Sequence, residues 1–140
     1  MTSKEFLDRP FYIKKRLRYL ECELERYRVM MNSIPQPNYG SIRIDKSPSK
    51  ESPNQRALER YYETQDKINE KERELEQVIF EVTSVIDTLD NEDYKLLLKY
   101  RYIDLKNITE IADILFVSVR TAQRWHINAT KEIQELLGGN

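Results

Sequence analysis

The sequence predicts an all-α protein, and both its composition and its apolar spacing support this prediction. Asp, Glu, Lys and Arg make up 34% of the 140 residues, and the chain has only 3 glycines and 5 prolines. Such a composition is typical of proteins rich in exposed helix. Apolar residues recur every three or four positions in two long segments and in two shorter ones near the C terminus. We therefore expect an N-terminal antiparallel helical hairpin, resembling a coiled-coil arm, followed by two short helices joined by a tight turn.

A first helix is expected over residues 1–34. Asp8 can cap it, and Pro10 then falls in the first turn, where proline is tolerated. Its apolar seam repeats by four and three and consists of Ile13, Leu17, Leu20, Leu24, Tyr27 and Met31. Prolines, serines, asparagine and glycine then predict a mobile loop at about 35–52, with a short strand or a partner-binding segment as the alternatives for its centre.

A second, longer helix is expected from about Pro53 to Leu89. Its seam is interrupted by polar Glu72 and otherwise consists of Leu58, Tyr61, Gln65, Ile68, Leu75, Ile79, Val82, Ile86 and Leu89. Residues 1–34 carry eight basic and five acidic side chains, whereas residues 53–89 carry five basic and nine acidic ones. Opposite net charge favours antiparallel pairing, and the end of the second helix keeps apolar surface for the C-terminal domain or another subunit. We place a helical arm at 1–88 and a second domain at 89–140.

The C-terminal pair of helices has the most informative spacing. Thr109 is the expected N-cap of the first helix, whose apolar face consists of Ile108, Ile111, Ala112 and Leu115. Ser118 is the expected N-cap of the second, whose inward face consists of Ala122, Trp125, Ala129 and Ile133. Phe116 occupies the turn position at which a positive φ favours glycine, so we expect strain there and a more open turn.

Polar side chains on the second of these helices match those that contact DNA. Arginine pairs with guanine, glutamine or asparagine with adenine, threonine with the thymine methyl group, and lysine with phosphate. The predicted DNA-binding residues are Ser118, Val119, Arg120, Thr121, Gln123, Arg124, Asn128 and Lys131. The alternative is an ordinary helical hairpin whose polar face is only solvated.

From Leu89 to Thr130 the chain resembles region 4 of bacterial sigma factors. The matching pieces are an acidic helix start, an apolar run ending in Arg101-Tyr102, and then Thr109-Glu110-Ile111-Ala112, Leu115, Val117-Ser118 and a polar helix. Together with its helical N-terminal half, the chain resembles phage-encoded sigma-like regulators of the RinA/ArpU late-gene activator type. The resemblance is specific over 89–137 and loose over 1–88.

The resemblance implies a helix-turn-helix that binds promoter DNA. By position it places Val119, Arg120, Thr121, Gln123 and Arg124 where sigma region 4 contacts the upstream promoter element. It also implies control of phage or prophage genes and a location in the cytoplasm of a bacterial host.

Composition limits the other classes of function. The net charge of −1 and the pI near 6.0 do not favour non-specific phosphate binding, so we expect weak affinity for random DNA. Cys22 is the single cysteine, His126 the single histidine, and neither a membrane span nor a glycine-rich phosphate loop is present in the sequence. We therefore predict no enzyme activity, no metal site and no cofactor.

The sequence thus predicts a DNA-binding transcriptional regulator that inserts the helix from Val119 into the major groove. Duplex DNA is the expected partner, together with RNA polymerase and a homodimer formed through the helical arm, although that arm is equally compatible with a scaffold role. Two alternatives stay open: a DNA-packaging protein like a small terminase subunit, and an interaction module that contacts RNA polymerase or a host factor without binding DNA.

Overall fold

All regular secondary structure in the described part of the protein is helical. The computed structural model describes residues 1–33 and 53–138. The α-helices are α1 (Ser3–Leu7), α2 (Arg9–Ser33), α3 (Pro53–Ile86), α4 (Glu92–Leu98), α5 (Ile108–Ile114) and α6 (Val119–Gly138), and a π-helical segment (Lys99–Ile103) follows α4 directly. The all-α prediction is confirmed. The loop predicted at about 35–52 lies outside the described residues.

The N-terminal segment contains two helices rather than the single one that was predicted. Thr2 caps α1 with a reciprocal capping box: its hydroxyl accepts from the Glu5 N–H, and the Glu5 carboxylate accepts from the Thr2 N–H. Asp8 ends α1, and α2 begins at Arg9 with buried Pro10 in its first turn, as expected. The apolar spacing of the segment did not reveal α1 as a separate helix, because its five residues are too few for the helical spacing to repeat.

The seam of α3 is shifted by one residue at its start from the prediction. Leu58 is 38% exposed, whereas Ala57 and Thr64 are 4% and 3% exposed. Glu72 is exposed and does not interrupt a seam whose buried and half-buried members include Ala57, Tyr61, Thr64, Ile68, Leu75, Val78, Val82 and Ile86. The predicted seam contained the larger Leu58, but a narrow contact between helices accommodates small side chains such as Ala57.

The described residues form two compact units: one lies within 16–72, and the other consists of 1–15 and 73–138. The expected domain boundary between residues 88 and 89 stays a prediction. In the first unit, Leu17, Leu20 and Ile68 are buried, as their seam positions predict. Arg28 of α2 lies near Tyr61 of α3, and both Tyr61 and the hydrogen-bonded Glu25 carboxylate raise the pKa of Arg28, with Glu25 the larger cause.

The second unit surrounds α6 with α1, α4 and α5. Its fully buried side chains come from helices distant in the sequence and include Leu7, Val82, Ile86, Leu97, Leu98, Ile111 and Ile133. The Ser3 N–H donates to the Gln134 side-chain oxygen at 2.6 Å, and Arg9 pairs with Glu81 at 3.0 Å. The N-terminal residues therefore complete the core that holds α6. Among the described residues, no helix combines the length and apolar character that a membrane crossing requires.

Candidate nucleic-acid interface

The start of α5 is fixed by Asn107 rather than by Thr109. The Asn107 side chain accepts from the Glu110 N–H at 2.9 Å, and the Glu110 carboxylate accepts from the Asn107 N–H at 3.0 Å. This capping box starts the helix two residues before the position at which a Thr109 cap would start it. Ile111 and Ala112 are almost fully buried, as their spacing predicted.

The turn after α5 is closed, although Phe116 has the strained backbone conformation that was expected of it. Its φ is 59°. The Val117 N–H donates to the Ala112 carbonyl at 3.0 Å, and the Phe116 N–H donates to the Asp113 carbonyl at 3.3 Å. These two bonds form a Schellman motif, which normally carries glycine at the left-handed position. The expected opening of the turn is therefore wrong, because the two hydrogen bonds hold the strained residue in place.

Ser118 begins α6 as predicted. Its hydroxyl oxygen accepts from the Thr121 N–H at 3.1 Å, and the Ser118 and Thr121 hydroxyls are 3.0 Å apart. Thr121 is half-buried, whereas Ser118 is exposed. Both hydroxyls therefore participate in forming the helix start, and this limits their freedom to bond to a partner.

The inward face of α6 is formed by Ala122, Ala129 and Ile133, which are fully buried. Trp125 was expected in this core but is only half-buried. Because alanine adds little bulk, α6 can approach α4 and α5 closely. A bulky indole at the edge of such a contact can remain partly in solvent.

The outward face of α6 carries the cationic and amide side chains that were predicted to contact DNA. Arg120, Gln123, Arg124 and Lys131 are exposed, and Val119 is 37% exposed. No Asp or Glu occurs between Val119 and Lys131. Among the described residues, Arg120, Arg124 and Lys131 form no ion pair with one another or with a carboxylate. Between Val119 and Lys131 this face therefore carries cationic side chains that have no ion-pair partner in the described part of the chain, and Glu132 and Glu135 follow it.

Ile127 lies on the same face and was missed by the sequence interpretation. It is 53% exposed, three positions after Arg124 and four before Lys131. The helical period would have identified it, since residues three and four apart share a face. Ile127 was omitted because, apart from Val119, only polar residue types were selected.

Asn128 is directed differently from the other predicted contacts. It is half-buried, and its amide nitrogen lies 3.4 Å from the Tyr94 hydroxyl oxygen, to which it donates. Tyr94 belongs to α4, so this bond connects α4 with α6. Asn128 is consequently a packing residue in this structure.

The opposite side of α6 meets the π-helical segment at His126. The Tyr102 hydroxyl and the His126 Nε2 share a hydrogen bond of 2.6 Å, and the two rings are stacked with their centroids 5.7 Å apart. Burial raises the pKa of the Tyr102 hydroxyl. Burial, together with the charge of Arg101, lowers the pKa of His126. The imidazole is therefore a neutral packing group at pH 7 rather than a phosphate contact.

Comparison with known proteins identifies one family. Residues 57–134 match the family described as a protein of unknown function (DUF1492). No curated protein and no solved structure matches the chain. The matched range covers more than half of the 140 residues and includes all of α4, α5 and the outward face of α6. The chain therefore belongs to the DUF1492 family.

Proposed function

We propose that this protein binds duplex DNA in a sequence-specific manner through α6 and thereby regulates transcription of phage or prophage genes. The observation that carries the proposal is the outward face of α6, on which Arg120, Gln123, Arg124 and Lys131 are exposed and the three cations form no ion pair with any described residue. The opposite face is anchored by fully buried Ala122, Ala129 and Ile133. A helix held in this way presents its exposed side chains from a fixed backbone.

The N-terminal half of α6 supplies the proposed base contacts. A major groove of about 12 Å width admits an α-helix. Arg120 and Arg124 have the donor geometry for the O6 and N7 of guanine, and Gln123 has the donor and acceptor pair for adenine. Ile127 and Val119 add apolar groups of the kind that contact the thymine methyl. We therefore expect a site that contains guanine, adenine and thymine opposite these positions.

The remaining predicted residues have different roles in the proposal. Lys131 lies further along the exposed face and is assigned to a phosphate. Ser118 and Thr121 hold the helix start, and Asn128 connects α6 with Tyr94. We expect these three residues to position α6 rather than to contact bases.

The resemblance to sigma region 4 agrees with the local geometry. A DNA-binding helix-turn-helix needs two helices joined by a tight turn, and α5 and α6 are joined by a closed Schellman turn. The small residue Ala112 is 1% exposed at this junction. RNA polymerase and a second copy of the chain are further proposed partners, since the net charge of −1 makes strong unaided affinity for phosphate unfavourable.

An interaction with protein instead of DNA is the second candidate function. The Phe116 side chain is 94% exposed at the turn, and Glu110 and Asp113 are exposed on α5. Exposed aromatic side chains are common in protein interfaces, and carboxylates disfavour close approach to phosphate. These residues lie on α5 and in the turn after it, whereas the cationic face belongs to α6.

The test is selection of duplexes from a random pool, followed by binding titrations at two salt concentrations. We choose 50 mM and 200 mM, about the range over which phosphate contacts lose affinity. We expect an enriched sequence that binds more tightly than random duplex. Arg124→Ala should weaken this binding by about 1–3 kcal/mol and relax the preference at one base pair. Lys131→Ala should weaken the binding of all sequences to a similar extent. It should also reduce the slope of log affinity against log salt concentration by about one.

Arg60→Ala serves as the matched control, because Arg60 is an exposed arginine on α3. It should bind the selected duplex as the unmodified protein does. Failure to enrich any sequence, or equal binding by Arg124→Ala and the unmodified protein, would contradict the proposal. The second candidate function, an interaction with protein, would then be tested by substituting Phe116.

A further inference from the structure

A cavity of about 610 Å³ lies on the side of α6 that carries His126 and Thr130. Its other walls come from the N-terminal segment, through Lys4, Asp8 and Phe11, and from the π-helical segment with the turn after it. All of these residues belong to the same compact unit. The volume falls within the range of about 300–1,000 Å³ that is usual for small-molecule sites.

The charge of this cavity is unequally balanced. Lys4 lies 3.8 Å from Asp8, so the one carboxylate of the lining already has a cationic neighbour. Arg101 and Lys106 also line the cavity, are half-buried, and form no ion pair with any described residue. Fully buried charges are normally paired, and these two cations are already partly removed from water. The cavity therefore offers two cations that have no ion-pair partner among the described residues.

Aromatic surface accompanies these cations. Phe11 and Tyr12 are 40% and 58% exposed, with their rings in an edge-to-face contact, and they line one wall. Tyr102 and His126 are stacked on one another and line another wall. Flat apolar surface of this kind binds planar rings.

The backbone at the cavity has two unusual features. Tyr102 belongs to a π-helical segment, and such segments are frequent at functional sites. Leu105, which also lines the cavity, has a φ of 56°. A non-glycine residue in this conformation is strained, and such strain is concentrated at ligand sites.

We propose that this cavity binds a small planar anion: an aromatic or heteroaromatic ring that carries a phosphate or carboxylate, with the ring against Tyr12 and Tyr102 and the anion beside Arg101 and Lys106. The proposal does not depend on DNA binding, because the residues that it uses are separate from the outward face of α6.

The experiment follows the single histidine of the 140-residue chain by nuclear magnetic resonance. Adenosine monophosphate and indole-3-carboxylate are the two probes that combine a ring with an anion, one through phosphate and the other through carboxylate. Adenosine and inorganic phosphate are the matched probes with only one of these parts. We expect at least one combined probe to shift the His126 signals saturably, and both single-part probes to bind at least tenfold more weakly.

Lys106→Gln should weaken the binding of that combined probe about tenfold, as expected for loss of one charge-assisted contact. Arg101→Gln should do the same. Lys67→Gln, at an exposed position of α3 in the other compact unit, is the matched control and should leave the affinity unchanged. Thermal unfolding of each variant establishes that it is folded.

Three outcomes would overturn the proposal. The first is that neither combined probe shifts His126. The second is that phosphate alone is as effective as adenosine monophosphate, which would indicate an adventitious ion only. The third is that folded Lys106→Gln and Arg101→Gln both bind the probe as tightly as the unmodified protein does.

Discussion

Tyr102 and His126 are 24 positions apart in the sequence, yet the hydroxyl of one and the Nε2 of the other are 2.6 Å apart. Their rings are stacked, and both are largely removed from water. The pair joins the π-helical segment to the middle of α6, on the side opposite the exposed cations. It therefore contributes to holding the orientation of α6, and it makes that contact sensitive to pH.

Folding stability should decrease as the pH falls below about 6.5. Burial and the nearby charges of Arg101 and Lys4 lower the pKa of His126, and only Asp8 opposes them. The unfolded chain, with a histidine pKa near 6.5, then binds a proton before the folded one does. Stability is full above that pH and is lost as the pH falls towards the lowered pKa of the folded protein. Urea unfolding between pH 5 and 7.5 measures it.

His126→Gln is the control for this pH effect, since glutamine does not titrate. The variant should have a flatter dependence of the unfolding free energy on pH in this window. If the unmodified protein and His126→Gln gave parallel curves, the dependence would come from other groups and the assignment to His126 would be wrong.

Phe116→Gly should stabilise the protein. The φ of 59° costs an L-residue about 1 kcal/mol, and a ring that is 94% exposed contributes little burial in return. Phe116→Ala is the matched variant, because it removes the ring but keeps the strain. We expect the unfolding free energy of Phe116→Gly, measured with urea, to exceed that of Phe116→Ala by about 1 kcal/mol. Equal stability of the two variants would mean that the turn relaxes out of its left-handed conformation.

Ala122→Leu should destabilise the domain by about 1–3 kcal/mol. Ala122 is fully buried on the inward face of α6, and a larger side chain overpacks the contact. Gln123→Leu adds a similar apolar side chain one position later, where the residue is exposed. It should change the thermal midpoint little. A destabilisation of the same size in both variants would not be explained by overpacking.

Ile133→Ala should cost more stability than Trp125→Ala. Ile133 is fully buried, and removing a buried isoleucine side chain costs about 2–5 kcal/mol. Trp125 is only half-buried, so we expect about 1–3 kcal/mol for its replacement. Urea midpoints of the two variants measure the order. The reverse order would indicate that the indole supports more of the core than its exposure suggests.

The inward face of α6 could be predicted from local spacing, and the outward face partly so. Ala122, Ala129 and Ile133 follow the helical period and are buried. The same period places Ile127 on the exposed face, but apart from Val119 the prediction included only polar residue types. Asn128 satisfies both criteria, yet its amide donates to Tyr94, an interaction that spacing within one helix does not reveal.

The sequence by itself determined the helical class and the small residues on the inward face of α6, because these depend on residues within a few helical turns. Only the tertiary structure decided that Leu7 of α1 joins the core around α6, that α3 packs through Ala57 rather than Leu58, and that His126 pairs with Tyr102. These features depend on which distant surfaces meet. A periodic pattern specifies the face that a helix buries, but not the residues that cover it.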